Sequence, residues 1–463
     1  MKKIPWKGEG GYRELVVLSV PLIITTASWS LQQFVDRMFL SWYSPEAIAA
    51  VVPSGMLNFT IMSIFMGTCS YTTTFVAQYH GAGKNHRAGR AVWQGIYCSI
   101  AGGIILLLFV PFSDRIFNMI GHDPSIREYE SVYFSILCAG SWGPLASSAI
   151  AGFFSGRGIT WPVLWVNFAG TLVNIILDYI LIFGKLGFPV MGVRGAAIAT
   201  VISGFSVLAI YLVMFFYSPH EKEFCTRSGW RPERKLFARL IRFGFPAGLQ
   251  FFLEIGTFTA FILIVGRLGM MELAASNIVF NINSVSFMPI LGLGIGITVL
   301  TGQYLGKNQP DTAERSVYAG FRISFVYMFF TGLIYILLPW LLVEPFMRGS
   351  DAGRLFELRG MAELLLRFVA LYSFFDAMSI TFSSALKGAG DTSFVMKAVL
   401  LVAVFSLIIP TWAAVFYFNA GIYTCWWILT FYAFFLGFMF YLRFRNGRWK
   451  SMRVIEGEHG RGM

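Results

Sequence analysis

Four carboxylates stand inside stretches that are otherwise apolar: Asp36 in SLQQFVDRMFLSW, Asp178 in VNIILDYI, Glu254 in FPAGLQFFLEIGTF and Asp376 in LYSFFDAMSITF. An ionised carboxylate at membrane depth costs about 2.5 to 3.5 kcal/mol even on lenient insertion scales, so each should face protein, a cation or water rather than lipid. Asn174 precedes Asp178 by four residues, which places an amide and a carboxyl on one helix face. Asp36, Asn174, Asp178 and Thr200, the last in the run GAAIAT, can converge as oxygen ligands for Na+ or as a shared proton site. The alternative for Asp178 is a helix-end residue facing headgroups. Pro21, upstream of Asp36 in the same apolar run, removes a backbone N–H and lets its helix bend. A bend and an acid on one helix suggest a moving cation site.

Glu254 and Asp376 are the corresponding candidates in the second half of the chain, the alternative being a buried pair with Arg367. Asn277, Asn281 and Ser284 recur at i, i+4 and i+7 and form one polar stripe, suited to lining a wet cavity or to interhelical hydrogen bonding.

The elements that must position these groups follow from composition. Of 463 residues 56% are hydrophobic and 13% charged, against about 25% charged in ordinary soluble domains. This is the profile of an all-α polytopic membrane protein. Apolar spans fall at 15–42, 47–76, 91–117, 129–154, 161–184 and 192–217, and again at 243–267, 271–300, 316–344, 361–386, 392–417 and 421–443. The domain reading is an N-terminal six-helix lobe at 1–217, a charged linker at 218–242, a C-terminal six-helix lobe at 243–445 and a basic tail at 446–463.

The net charge of +12 sits in short loops rather than on a basic folded domain, which argues against nucleic acid as a partner. Lys2, Lys3, Lys7, Arg13, Lys84, Arg87, Arg90, Arg157, the linker, Lys307, Arg315, Lys387 and the Arg443–Arg453 tail share one side; Arg115, Arg127, Lys185, Arg194, Arg267, Arg348, Arg354 and Arg359 fall on the other. By the positive-inside rule the first side, with both termini, is cytoplasmic. Cys69, Cys98, Cys138, Cys225 and Cys425 show no paired or metal-ligand spacing and read as free thiols.

The two halves repeat each other. VAQYHGAGKNHRAGRAVWQG from Val76 aligns without gaps on TGQYLGKNQPDTAERSVYAG from Thr301, a shift of 225 positions that pairs Gln78 with Gln303 and Gly81 with Gly306 and also carries Pro21 onto Pro246. SGRGIT from Ser155 matches KGAGDT from Lys387 at a shift of 232. Twelve transmembrane helices in two pseudo-symmetric six-helix bundles of like orientation follow. The acids do not repeat: Asp36 corresponds to Phe261, and Asn174 and Asp178 to Ser406 and Pro410.

GAGKNH, LGKNQ and GLGIG lack the spacing or context of nucleotide-binding loops, and neither HExxH nor GxSxG is present, so an enzyme is disfavoured. NIILDYILIFGKLGFPVMGVRGAAIATVIS, PAGLQFFLE and LKGAGDT, in this order, resemble the multidrug and toxic compound extrusion (MATE) family, most like its bacterial NorM branch. The resemblance covers nearly the whole chain. It implies two lobes that export small organic cations and drugs in exchange for Na+ or H+, with no cofactor beyond the transported ion, from a monomer in the bacterial inner membrane. Family cation-site residues carry over onto Pro21, Asp36, Asn174, Asp178 and Thr200, and onto Glu254 and Asp376. A lipid-linked oligosaccharide flippase of the same superfamily is the nearest rival, and a membrane-embedded enzyme a more distant one.

Overall fold

The first helix sets the pattern. In the computed structural model, which describes residues 4–347 and 352–456, α1 (Tyr12–Tyr43) runs unbroken through Pro21. Ser44 ends it and starts the next: its Oγ accepts from the Ala47 N–H at 3.0 Å, and Pro45 fills the first helical position, where no N–H is needed. The first half continues with α2 (Pro45–Ser70), α3 (Thr72–Gly81), α4 (Asn85–Leu107), α5 (Ser113–Ile120), α6 (Pro124–Gly140), α7 (Trp142–Gly156), α8 (Trp161–Phe183) and α9 (Gly192–Phe215). The linker forms α10 (Ser218–Phe224). The second half comprises α11 (Arg234–Val265), α12 (Met270–Gly306), α13 (Pro310–Leu337), α14 (Pro339–Val343), α15 (Ala352–Ala389), α16 (Thr392–Val402), a π-helical turn (Ala403–Ile408), α17 (Ile409–Phe416) and α18 (Ile422–Arg445).

Among the described residues eleven helices are long and apolar enough to cross a membrane, and α6 with α7 makes a twelfth span bent by 40°. The bend follows from Pro144, in the first turn of α7, which cannot donate back to the preceding turn. The expected twelve-span helical architecture is therefore observed, with local differences. The span read at 47–76 continues to Gly81 and is interrupted at Tyr71, and α11 begins at Arg234, inside the stretch read as linker. Leu236 and Leu240, one turn apart on that early part of α11, are buried with Tyr71, Phe75 and Val454, which is why the basic stretch is helical. Lys2, Lys3, Arg348 and the end of the tail, 457–463, lie outside the described residues, as does the side chain of Arg354. All five cysteines are free thiols, four of them buried.

By internal packing the chain forms two compact units. The N unit comprises Ile24–Phe252, Gly302–Asn308 and the chain from Arg453; the C unit comprises the chain up to Ile23, Leu253–Thr301 and Gln309–Met452. The change of unit thus falls inside α1 and α11, shortly after Pro21 and Pro246. Glycines explain why. In the N unit a Cβ on Gly67 of α2 would stand 2.6 Å from the Cα of Gly248 in α11; in the C unit a Cβ on Gly292 of α12 would stand 2.7 Å from the Cα of Ile23 in α1. The shift of 225 carries Gly67 to Gly292 and Ile23 to Gly248, so each repeat's first helix crosses the other repeat's second helix at matching points. A second matched pair lies within the N unit, where a Cβ on Gly81 would strike the Gln303 carbonyl and one on Gly306 the Gln78 carbonyl. The repeated Gln-Tyr-x-Gly motif is therefore a backbone crossing that only glycine permits.

Candidate functional site

α1, α2, α6, α8 and α9 of the N unit close around a core containing Phe39, Leu40, Ala47, Val51, Tyr133, Ile182, Val193 and Ala197. The left-handed conformation of Gly184 (φ +65) ends α8 just beyond Asp178. Against this apolar wall three of the expected residues meet. Asp36 is 7% exposed, and Asn174 and Asp178 are fully buried. With its amide nitrogen turned to the carboxylates, Asn174 donates to Asp36 Oδ1 at 2.9 Å and to Asp178 Oδ2 at 3.3 Å, while Gln32 Nε2 lies 3.1 Å from that nitrogen. The two carboxyl groups are themselves within hydrogen-bonding reach. Two carboxylates in such contact do not both stay charged unless a cation lies between them, so the arrangement suits a shared proton or a cation. Asp178 Oδ1 is buried and accepts no hydrogen bond among the described residues, leaving one strong acceptor open to such an ion.

Thr200 joins this group indirectly. Its hydroxyl donates to the Ala196 carbonyl one turn back at 3.0 Å and meets the phenol of Tyr133, which lies in the field of both carboxylates. Gln32 and Tyr133 are thus site residues the sequence reading missed. Gln32 carried a usable signal, standing four residues before Asp36 on one helix face; Tyr133, one of nineteen tyrosines, carried none. Pro21 lies elsewhere, in the C unit's portion of α1.

In the C unit Glu254 is exposed on α11 and lies in the field of Asp376, Tyr432 and Lys387. Asp376, half-buried on α15, adjoins the buried Tyr372, whose hydroxyl accepts from Asn283 Nδ2 at 3.4 Å. The structure therefore brings Glu254 and Asp376 into one neighbourhood. It also shows Lys387, counted above among the loop bases, to be within α15, and Arg367 to be exposed. Asn277, Asn281 and Ser284 share one exposed face of α12; Asn281 Nδ2 donates to the Asn277 carbonyl at 2.8 Å and Ser284 Oγ to the Asn281 carbonyl at 2.7 Å, so these bonds stay within the helix. Phe261, at the position matching Asp36, is sealed among Phe280 and Trp426, and Ser406 lies in the π-helical turn, with Pro410 in the first turn of α17 that follows.

Comparison with known proteins places these residues in context. The MatE family profile matches residues 21–180 and 246–412, which includes every carboxylate named above. The chain is 28% identical over 449 residues to the probable multidrug resistance protein NorM of Thermotoga maritima, covering 96% of this chain and 95% of that protein. Its fold matches a MOP superfamily transporter from Pyrococcus furiosus with a TM-score of 0.86 at 20% identity, covering 97% of this chain and 100% of that one. A MATE solved in a bent conformation matches with a TM-score of 0.84 at 20% identity, covering 96% of this chain and 97% of that one.

Proposed function

The chain belongs to the MatE family, and from that premise we propose that it is a secondary active multidrug efflux antiporter, exporting organic cations in exchange for Na+ or H+ by alternating access. It is a transporter and not an enzyme. What supports the coupling is one observation above all: a buried carboxyl pair with an acceptor, Asp178 Oδ1, left open to an ion. The related NorM of Thermotoga maritima is named as a probable multidrug resistance protein, in keeping with drugs as cargo.

In the proposed cycle Na+ or H+ enters from outside and neutralises Asp36 and Asp178. The amide of Asn174 keeps the two carboxyls in register, and Tyr133 and Thr200 close the side facing α6 and α9. Protonated or ion-bound, the pair no longer attracts an organic cation, so drug and coupling ion exclude each other. α1 transmits the change by bending at Pro21 as the bundles rock. Glu254 and Asp376 form a second cation site, and Asn277, Asn281 and Ser284 line a wet surface, since an exposed polar stripe disfavours lipid. A one-for-one exchange of monovalent cations cancels the voltage term and leaves about 1.4 kcal/mol per tenfold ion gradient. The bias of basic residues toward one set of loops supports a cytoplasmic side for both termini, in a protein read as a monomer of the bacterial inner membrane.

The test is ion-driven drug export from proteoliposomes by Asp36→Asn. Export falls to the level of protein-free vesicles if the pair couples transport; undiminished export removes it from the mechanism.

A further inference from the structure

A groove of about 700 Å³ lies on the outside of the C unit, far in sequence from the acids discussed so far. It is lined by Trp6, Tyr12, Phe321, Arg322, Phe325 and Val326 among others. Arg322 is its one charged wall. It is half-buried, lies within the membrane-spanning α13, and makes no ion pair among the described residues; the contact it does make is a donation from Nη1 to the Tyr12 hydroxyl at 3.0 Å. An arginine at membrane depth beside neutral partners is costly unless an anion or the headgroup layer completes it.

Three features identify the anion. Arg315 and Arg322 lie seven residues apart on one face of α13, so Arg322 sits roughly 10 Å further into the membrane than a base at its edge. The N-terminal segment covers that face at its outer end, since a Cβ on Gly10 would stand 3.6 Å from Arg315 Cβ, while Trp6 stacks on Tyr12 at 6.2 Å as interfacial aromatics do. Inward from Arg322 the same face is apolar and open, with Phe325 42%, Val326 53% and Phe329 45% exposed. A charge at phosphate depth with an apolar track leading from it matches an amphiphile with an anionic head. Of the two acids in the N-terminal segment, Glu9 and Glu14, neither pairs with Arg322, and Glu14 accepts from the Gly10 N–H at 2.7 Å.

We propose that this groove binds an anionic phospholipid of the leaflet on the basic side, its phosphate on the Arg322 guanidinium and an acyl chain along Phe325 and Val326. The bound lipid also grips Tyr12, the first residue of α1, and so steadies the start of the helix that carries Asp36.

The experiment is native mass spectrometry of the full chain released from detergent, titrated with phosphatidylglycerol, with phosphatidylcholine, and with glycerol phosphate as the headgroup alone. The wild type should retain phosphatidylglycerol in preference to phosphatidylcholine and ignore glycerol phosphate. Arg322→Gln should weaken phosphatidylglycerol about fivefold, and Arg322→Lys less. Val326→Trp, which fills the track on an exposed face and leaves the arginine intact, should weaken it as well, and guards against misfolding of the charge variant. Equal retention of the two lipids by the wild type, unchanged preference in both Arg322→Gln and Val326→Trp, or equal binding of glycerol phosphate would overturn the proposal.

Discussion

The two units share a backbone design and part company in their chemistry. Both use a proline in the first helix of the repeat and a glycine crossing just beyond it, and the Gln-Tyr-x-Gly motif recurs in both halves. Yet Gln32, Asp36, Asn174 and Asp178, which meet in the N unit, correspond to Thr257, Phe261, Ser406 and Pro410. Tyr133 corresponds to Leu365 under the shift of 232. An aromatic cluster, Phe261 with Phe280 and Trp426, the last two stacked at 5.0 Å, stands where the carboxyl pair would be. The helix that is regularly α-helical through Asn174 and Asp178 is interrupted in the second half by a π-helical turn, which lies one turn before a proline that cannot donate to Ser406. The second unit's acids sit on other positions, one of them exposed. Packing devices are set by the need of helices to approach and so survive in both repeats; charge is costly in a membrane, and packing alone gives no reason to repeat it.

The comparison can be broken from either side. The largest effect is expected for Asp178→Asn, which removes the negative charge behind the open acceptor: ion-driven export from proteoliposomes should be lost while the fold, read by thermal unfolding, is retained. Phe261→Asp writes the N unit's acid into the C unit without its partners. It should destabilise the protein by about 3 kcal/mol or more, since the new carboxylate is buried among aromatic rings, and it should create no second coupling site. Retained stability would mean that this region is wetter than the packing implies.

Glu254→Gln should leave ion coupling in place and weaken apparent drug affinity about tenfold, the size of one lost charge-assisted contact. Loss of coupling instead would move the ion site to the C unit.

The smallest effect is expected at the tail. Glu456 accepts from the Tyr79 hydroxyl at 3.0 Å and pairs with Arg239, and the Val454 N–H beside it donates to Gln78 at 2.8 Å. Burial opposes ionisation of Glu456, but Arg239, with Tyr79 and Arg87, outweighs it and holds the carboxyl below its ordinary value of 4.5. A depressed value of this kind contributes stability in full above 4.5 and loses it as pH falls through the folded value. Glu456→Gln should therefore lower thermal stability at neutral pH by about 0.5 kcal/mol or less, the pair being partly screened by solvent, and the gap should close in acid.

Much of this was legible in the sequence for identifiable reasons. An acid in an apolar run is costly wherever it lies, so Asp36, Asp178, Glu254 and Asp376 stood out, and the repeat made their asymmetry visible. Gln32 could have been read from its spacing to Asp36. Tyr133 could not, because a tyrosine in a membrane helix is ordinary until its neighbours are known. Gly67 and Gly292 looked like two among 47 glycines. Only the crossing with Gly248 and Ile23 gives them a role, and with it the reason that α1 and α11 change unit partway along. Pro410 was plain in the sequence, but the π-helical turn preceding it depends on how the freed carbonyls are accommodated.

The most direct test of the central claim is substrate-induced ion release. Liposomes containing the protein are loaded with Na+ or set to an acidic interior in separate experiments, the drug cation is added outside, and ion efflux is followed. The wild type should release one of the two ions on drug addition, Asp36→Asn neither, and Glu254→Gln the same ion as the wild type at higher drug concentration. Drug-induced release that survives in Asp36→Asn would contradict the assignment of coupling to the Asp36, Asn174 and Asp178 site.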